Sequence, residues 1–224
     1  MSRVFSWYEQ AMRLFKASPV AWCVLGATTL ASDLVLQLVP GIGVAASKVI
    51  VPVIECGMLL GAAAVDHGQR LEIGYAIAAF RAPPPALTAI VGSALVIFVA
   101  EALAGFAFAG INFLSPEAAK SDVEPSALVG IFAIGMVTSL PMLFVPFAAL
   151  FERASVRHAF VTSFRGFALN TAPLLLFGAL ALVLTLLGLM TYGVGLVIVF
   201  PLLSAASYAA WKDIYAAEEL THSE

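Results

Sequence analysis

Residues 164 to 201 read FRGFALNTAPLLLFGALALVLTLLGLMTYGVGLVIVFP. An aromatic–basic pair, Phe164-Arg165, leads to Pro173 and then to an apolar run ending near Thr191. The turn Tyr192-Gly193-Val194-Gly195 follows, and a second apolar run carries Pro201 within it. About 20 apolar residues in helical form match the thickness of the bilayer hydrocarbon. Glycine admits a tight reversal, and a proline bends a helix because it cannot donate to the carbonyl four residues back. The stretch predicts a helical hairpin that crosses a membrane twice.

Working outward, the same phrase occurs twice more. Phe15-Lys16 precedes Pro19, and Phe80-Arg81 precedes Pro83, Pro84 and Pro85. Phe15 to Pro52 and Phe164 to Pro201 are both separations of 37 residues. The even spans carry internal prolines: Pro52, Pro141 with Pro146, and Pro201. Spans are expected at about 20–39, 44–64, 86–112, 127–150, 172–191 and 194–214, with turns such as Val39-Pro40-Gly41-Ile42-Gly43 between them. The fold class is therefore an all-α membrane protein, a single polytopic domain over 1–224. Its six transmembrane helices form three hairpin units, approximately 1–68, 69–153 and 154–216, before a polar tail at 217–224. Three prolines at matched places suggest a pseudo-threefold core lined by the even helices.

Each unit is preceded by a short amphipathic segment. Val4, Trp7, Tyr8, Ala11, Met12 and Phe15 fall on one helical stripe; so do Ile73, Ile77 and Phe80, and so do Val156, Phe160, Phe164 and Phe167. Spacings of three and four place such side chains on one face. Helices of this kind lie in the membrane interface with the apolar side down. Their role is to cover the ends of the bundle or to bind a lipid or partner. Ser18-Pro19 reads as an N-cap followed by proline in the first turn.

Composition agrees with a membrane protein. The chain is 62% hydrophobic and 11% charged with mean hydropathy +1.00, whereas a soluble domain has roughly 25% charged residues. A net charge of −3 without a basic tract excludes nucleic acid as a partner. Arg3, Glu9, Arg13 and Lys16 are spread through the opening residues, which do not read as a cleaved signal peptide. Of the 11 Lys and Arg, nine (Arg3, Arg13, Lys16, Arg70, Arg81, Arg153, Arg157, Arg165, Lys212) fall on the N-terminal side and two (Lys48, Lys120) on the other. The positive-inside rule then places both termini in the cytoplasm, with the acidic loop 113–126 outside.

Four polar residues lie within the expected spans: Asp33, Lys48, Glu55 and Glu101. Ionisable groups at such depth face protein or water rather than lipid. Counted at about 1.5 Å per residue, Glu55 lies near the midplane, while Asp33 and Lys48 share a depth in the outer half. Asp33 and Lys48 are expected to pair, and Glu101 has no basic partner in sight. Either these groups bind neighbouring helices together, or they line a proton- or cation-responsive path centred on Glu55 beside Pro52. The stripe Gly57-Met58-Leu59-Leu60-Gly61 and the weaker Ala205 with Ala209 let helices approach closely, within the bundle or between copies.

Catalysis finds no support. His67, His158 and His222 have no nucleophile or carboxylate at a defining spacing, and no Gly-x-Ser-x-Gly, His-Glu-x-x-His, Cys-x-x-Cys or phosphate-cradling loop occurs. Cys23 and Cys56 read as packed thiols. No cofactor and no metal are expected.

Loose motifs carry a resemblance: Trp7 to Pro19 with Leu14-Phe15-Lys16, Pro52 with Gly57 and Gly61, Asp66-x-Gly68, Ala79-Phe80-Arg81, and Pro201 to Tyr208 with Lys212-Asp213-Ile214. Through them the chain resembles an uncharacterised bacterial family of six-helix inner-membrane proteins. A fainter similarity is to the membrane regions attached to some bacterial glycerophosphodiester phosphodiesterases, whose catalytic domain has no counterpart here. The resemblance implies the bacterial cytoplasmic membrane and supplies no activity. Glu55 and Glu101 stand where that family has apolar residues. The leading expectation is a non-enzymatic structural or interaction protein engaging membrane lipids, another envelope protein or a second copy of itself. The alternative is a small transporter or channel using the intramembrane carboxylates.

Overall fold

The computed structural model describes residues 2–39, 42–113, 115 and 123–221, with the backbone alone for residues 2 and 216–221. Pro40-Gly41, the loop residues Glu117, Lys120 and Asp122, and the tail residue His222 lie outside the described residues. Among the described residues the chain is helical without strands. Helices run at Ser2–Ala17 (α1), Pro19–Gln37 (α2), Gly43–Asp66 (α3), Pro84–Ala109 (α4), Pro125–Ser139 (α5), Val145–Phe151 (α6), Val156–Leu169 (α7), Thr171–Met190 (α8) and Leu196–Thr221 (α9). Two 3-10 stretches interrupt them, Ile73–Arg81 and Leu140–Met142.

Six of these stretches are long and apolar enough to cross a membrane: α2, α3, α4, the interrupted Pro125–Phe151, α8, and Leu196–Tyr215 of α9. Of these, α9 and α3 are the most enclosed, at 56% and 50% buried, while α2 is buried over only 22%. The two enclosed helices touch each other and α2, so they form the centre. The described part of the expected tail continues α9 as helix to Thr221.

Helix ends follow local chemistry. Gly110 ends α4 in the left-handed conformation (φ 65°), its N–H donating to the Phe106 carbonyl at 3.0 Å. Only glycine takes this conformation without strain. Ser18 stands at the expected N-cap, but its side chain makes no cap bond. The chain passes almost directly from α1 to α2 there, and backbone bonds do the work: Ser18 N–H to the Phe15 carbonyl (3.2 Å) and Trp22 N–H to the Ser18 carbonyl (3.1 Å).

The prolines behave in two ways. Pro52 and Pro201 sit inside continuous helices. Pro201 cannot donate to the Val197 carbonyl, and Gly26 of α2 fills the space beside that oxygen; a Cβ on Gly26 would lie 2.3 Å from it. Pro141 and Pro146 together break the fourth span instead of bending it, dividing it into α5, a 3-10 turn and α6. Ser163 of α7 staples the break. Its buried hydroxyl donates to the Pro141 carbonyl at 2.7 Å and accepts from the Phe144 N–H at 3.0 Å.

The short amphipathic stretches depart from the expected placement. In α1, Val4, Trp7, Ala11 and Leu14 are buried in the protein core while Met12 is exposed. That stripe therefore packs against α9 and α8 rather than facing lipid, with Trp7 and Tyr8 set against Phe177 of α8. The stretch Ile73–Arg81 winds as a 3-10 helix with Ala76 and Ala79 buried and Ile73, Ile77 and Phe80 exposed. It runs back alongside α3: a Cβ on Gly57 would sit 2.0 Å from the Tyr75 carbonyl, and one on Gly61 2.6 Å from Leu71 Cδ1. Gly57 is about 14 Å of helix axis short of the α3 end at Asp66. Non-α backbone at such depth is tolerated where protein buries it. In α7 the packed face is Ala159, Ser163 and Gly166, which leaves Phe164 exposed.

The main core joins Trp7, Trp22, Leu25, Met58, Ile90, Phe144, Phe147, Leu174 and Tyr208. It lies at the end of the bundle that holds both α1 and the last turns of α9.

Candidate functional site

Two polar constellations stand out. The first comprises the four intramembrane residues of the sequence analysis. Lys48 and Glu55 are seven residues apart and so share one face of α3. Lys48 Nζ lies 3.9 Å from Glu101 Oε2 on α4, correcting the expected pairing with Asp33. The same ammonium sits 5.3 Å from the centre of the Phe98 ring. Asp33 instead accepts a hydrogen bond from Gln37 Nε2 at 2.7 Å, one helical turn along α2. Lys48 turns towards α4 rather than towards Asp33 on α2.

Glu101 is held on its other side by α5. A Cβ on Gly135 would meet Glu101 Oε1 at 2.3 Å and its Cγ at 2.9 Å, so only glycine leaves room for this carboxylate between the helices. Glu55 is partly exposed and makes no hydrogen bond or ion pair with the described residues. Lys48, Asp33 and Glu101 all lie within electrostatic reach of it. The structure thus gathers the four residues into one region, as a cation–carboxylate bridge between α3 and α4 flanked by two further carboxyl groups. Among the described residues no group of three or more His, Cys, Asp or Glu is arranged to hold a metal ion.

The second constellation was not foreseen as a site. At the opposite end of the spans, Asp213 of α9 accepts from Arg3 Nε and from Trp7 Nε1, the latter at 2.8 Å. Arg3 also donates to Asn170 Oδ1 at 2.9 Å, drawing in the α7–α8 joint. Tyr8 of α1 stacks on Phe177 of α8 (5.6 Å between ring centres) and donates to the Phe177 carbonyl at 3.1 Å. Burial pushes the Tyr8 phenol well above its ordinary range, so it stays a donor. One turn away, Asp66 at the end of α3 accepts from Lys212 Nζ and from Tyr208 Oη, the latter at 3.1 Å. Trp211 lies nearly parallel to Phe147 and Phe151, at 5.5 and 5.1 Å. The visible signal was a Lys212-Asp213 pair following Trp211 at the end of an apolar span, although 210 residues separate Arg3 from Asp213.

Beside this end lies an open cleft of about 310 Å³, lined by Leu60, Ala63, Ala64, His67, Gln69 and Tyr75. His67 Nδ1 is 2.7 Å from the Ala63 carbonyl, which fixes that nitrogen as the protonated donor. Asp66-His67-Gly68 ends α3, with Gly68 at φ 76°.

No family model matches this chain, and no curated protein or solved structure matches it.

Proposed function

We propose that this multi-pass membrane protein is a non-enzymatic structural or interaction protein of the bacterial cytoplasmic membrane, engaging lipid or another envelope protein. The observation that carries the reading is the seat of Glu101: ion-paired to Lys48 on one side and packed against Gly135 on the other, it joins α3, α4 and α5. A carboxylate so enclosed by helices serves assembly. Both termini lie in the cytoplasm in this reading, because nine of the 11 basic residues gather at their end.

A second reading, a small transporter or channel, is favoured by one feature. Glu55 is without a hydrogen bond to the described residues, at mid-span, in reach of three other charged groups. Both readings meet the same experiment. The purified chain is reconstituted into vesicles holding a pH-sensitive dye, and a proton or cation gradient is imposed. The structural reading expects leakage equal to empty vesicles and normal abundance for Glu55→Gln. A flux present in the native chain and lost in that variant, at unchanged expression, replaces it with the transport reading.

A further inference from the structure

We propose that residues 69–83 enter and leave the membrane on the same side, as a half-span. Its outward ridge, Ile73, Ile77 and Phe80, is a surface for the acyl chains of that leaflet. The inference rests on the reading of the chain as a multi-pass membrane protein engaging lipid. It names the segment that meets lipid and the part of the lipid that is met.

The levels of the two helix ends follow from the bridge between Lys48 and Glu101. Asp66 ends α3 18 residues from Lys48, and Pro84 opens α4 17 residues from Glu101. At about 1.5 Å per residue these are roughly 27 and 26 Å, so the two antiparallel helices finish level with one another. Tyr208, Trp211 and Lys212 stand there too, the first and last of them bonded to Asp66. Aromatic and charged side chains of this kind gather at a membrane–water boundary.

Between those ends the chain dips. The Gln69 N–H still donates to the Ala64 carbonyl at 2.9 Å. Leu71 then packs against Gly61, and the Tyr75 carbonyl against Gly57. These glycines lie five and nine residues back from Asp66, about 8 and 14 Å below the end of α3. By Ala82 the chain has returned, packing on Ala86, Ala149 and Ala159 near the starts of α4 and α7.

Backbone at that depth must be satisfied within the protein. The stretch meets this by winding as a 3-10 helix. The Tyr75 N–H donates to the Glu72 carbonyl and the Ala82 N–H to the Ala79 carbonyl, both at 3.1 Å. Its small face, Ala76 and Ala79, is buried, and Gly57 and Gly61 leave the groove that receives it. Charged side chains stop at its edges. Glu72 precedes it, Arg81 closes it, and none of residues 73–80 carries a charge. The large side chains Ile73, Ile77 and Phe80 are left outward at 58%, 57% and 42% exposure. At this depth hydrocarbon, not water, surrounds the bundle. A second copy of the chain fits the ridge poorly. Three side chains about half exposed present roughly 300 Å², against ~800 Å² per partner in a standard stable interface.

The test places a nitroxide label at Ile77→Cys in the full chain, reconstituted into phosphatidylethanolamine–phosphatidylglycerol vesicles. Cys23 is changed to alanine and the buried Cys56 is left in place. Power saturation is measured with oxygen, which concentrates in hydrocarbon, and with a water-soluble nickel chelate. Labels at Arg70→Cys and Arg81→Cys report the boundary, and one at Leu103→Cys on α4 gives the lipid-facing reference. The Ile77 label is expected to be open to oxygen, closed to nickel, and at least about 5 Å deeper than the labels at 70 and 81. Nickel access at 77 equal to that at 70 and 81 overturns the half-span. Exclusion of both reagents at 77 overturns the lipid surface in favour of a protein partner. A lipid-facing Leu103 label with a wet Ile77 label defeats this proposal alone; nickel access at Leu103 as well defeats the membrane reading beneath it.

Discussion

The two ends of this bundle are built on different principles. Where α1 meets α9, Trp7, Trp22, Phe144 and Phe147 are at most 1% exposed, and the indole N–H groups of Trp7 and Trp22 are paired. Towards the far end of α2, α4, α5 and α8, the large side chains turn outward, as with Leu34, Val35, Leu103, Phe106, Val129 and Leu187. There the helices meet through small residues and one charge bridge: Gly105, Gly135 and Gly188 are buried, and Lys48 reaches Glu101. Between helices in lipid, apolar burial gives little net drive, so close backbone approach and polar pairing must supply the contact. At the other end the aromatic packing and hydrogen bonds accumulate. The difference teaches that stability is concentrated at the end bearing α1.

That contrast is open to mutation. The largest expected effect is Trp7→Ala, which removes a fully buried ring stacked edge-on to Phe177 (6.1 Å) and leaves Asp213 without one of its donors. Unfolding in detergent should show a loss of about 3–5 kcal/mol. Leu103→Ala, at a 66% exposed position of α4, should cost within about 0.5 kcal/mol. Similar losses at both positions would erase the distinction. Ser163→Ala comes next. It strands the Pro141 carbonyl and the Phe144 amide, at a cost of about 1–3 kcal/mol. Faster hydrogen exchange of the Phe144 amide would locate the damage.

In the far half, a double-mutant cycle of Lys48→Met with Glu101→Gln should give a coupling of about 1–2 kcal/mol, since the charges are 3.9 Å apart within membrane spans, where their partial exposure is to lipid rather than to screening water. A coupling above about 3 kcal/mol would make that half a second centre of stability. The smallest effect concerns pH. The folded state holds the Tyr8 proton more tightly than the unfolded chain does, so its contribution is complete below pH ~10 and declines as pH rises above that value. Tyr8→Phe should therefore flatten the alkaline limb of a stability–pH profile, and lower its neutral plateau by about 0.5–1.5 kcal/mol for the lost hydrogen bond to the Phe177 carbonyl.

Much of this architecture was legible in the chain. The run from Ala172 to Thr191 could be little else than a spanning helix, and α8 occupies Thr171–Met190. Periods and lengths are local properties, and a bilayer enforces them. Rotation about a helix axis is not local. Counting residues gives Lys48 and Asp33 one expected depth, yet Lys48 faces α4, and nothing in the spacing distinguishes those outcomes. The stripe Ile73, Ile77, Phe80 was correctly apolar, but its return along α3 depends on Gly57 and Gly61 leaving a groove for Tyr75 and Leu71. The break at Pro141 and Pro146 was readable as distortion; that Ser163 would satisfy it was not, because the partner arrives from a later helix. The Asp213 hub was obscured by distance along the chain.

The bond between Arg3 and Asp213 has a consequence for biogenesis. Arg3 of α1 has this acceptor near the end of α9, so during synthesis the bond must wait until α2 to α8 have been made. Until then α1 can rest only on the earlier helices, as Trp7 and Tyr8 do on Phe177. A nascent chain halted before residue 213 therefore lacks the acceptor that locks α1 in place.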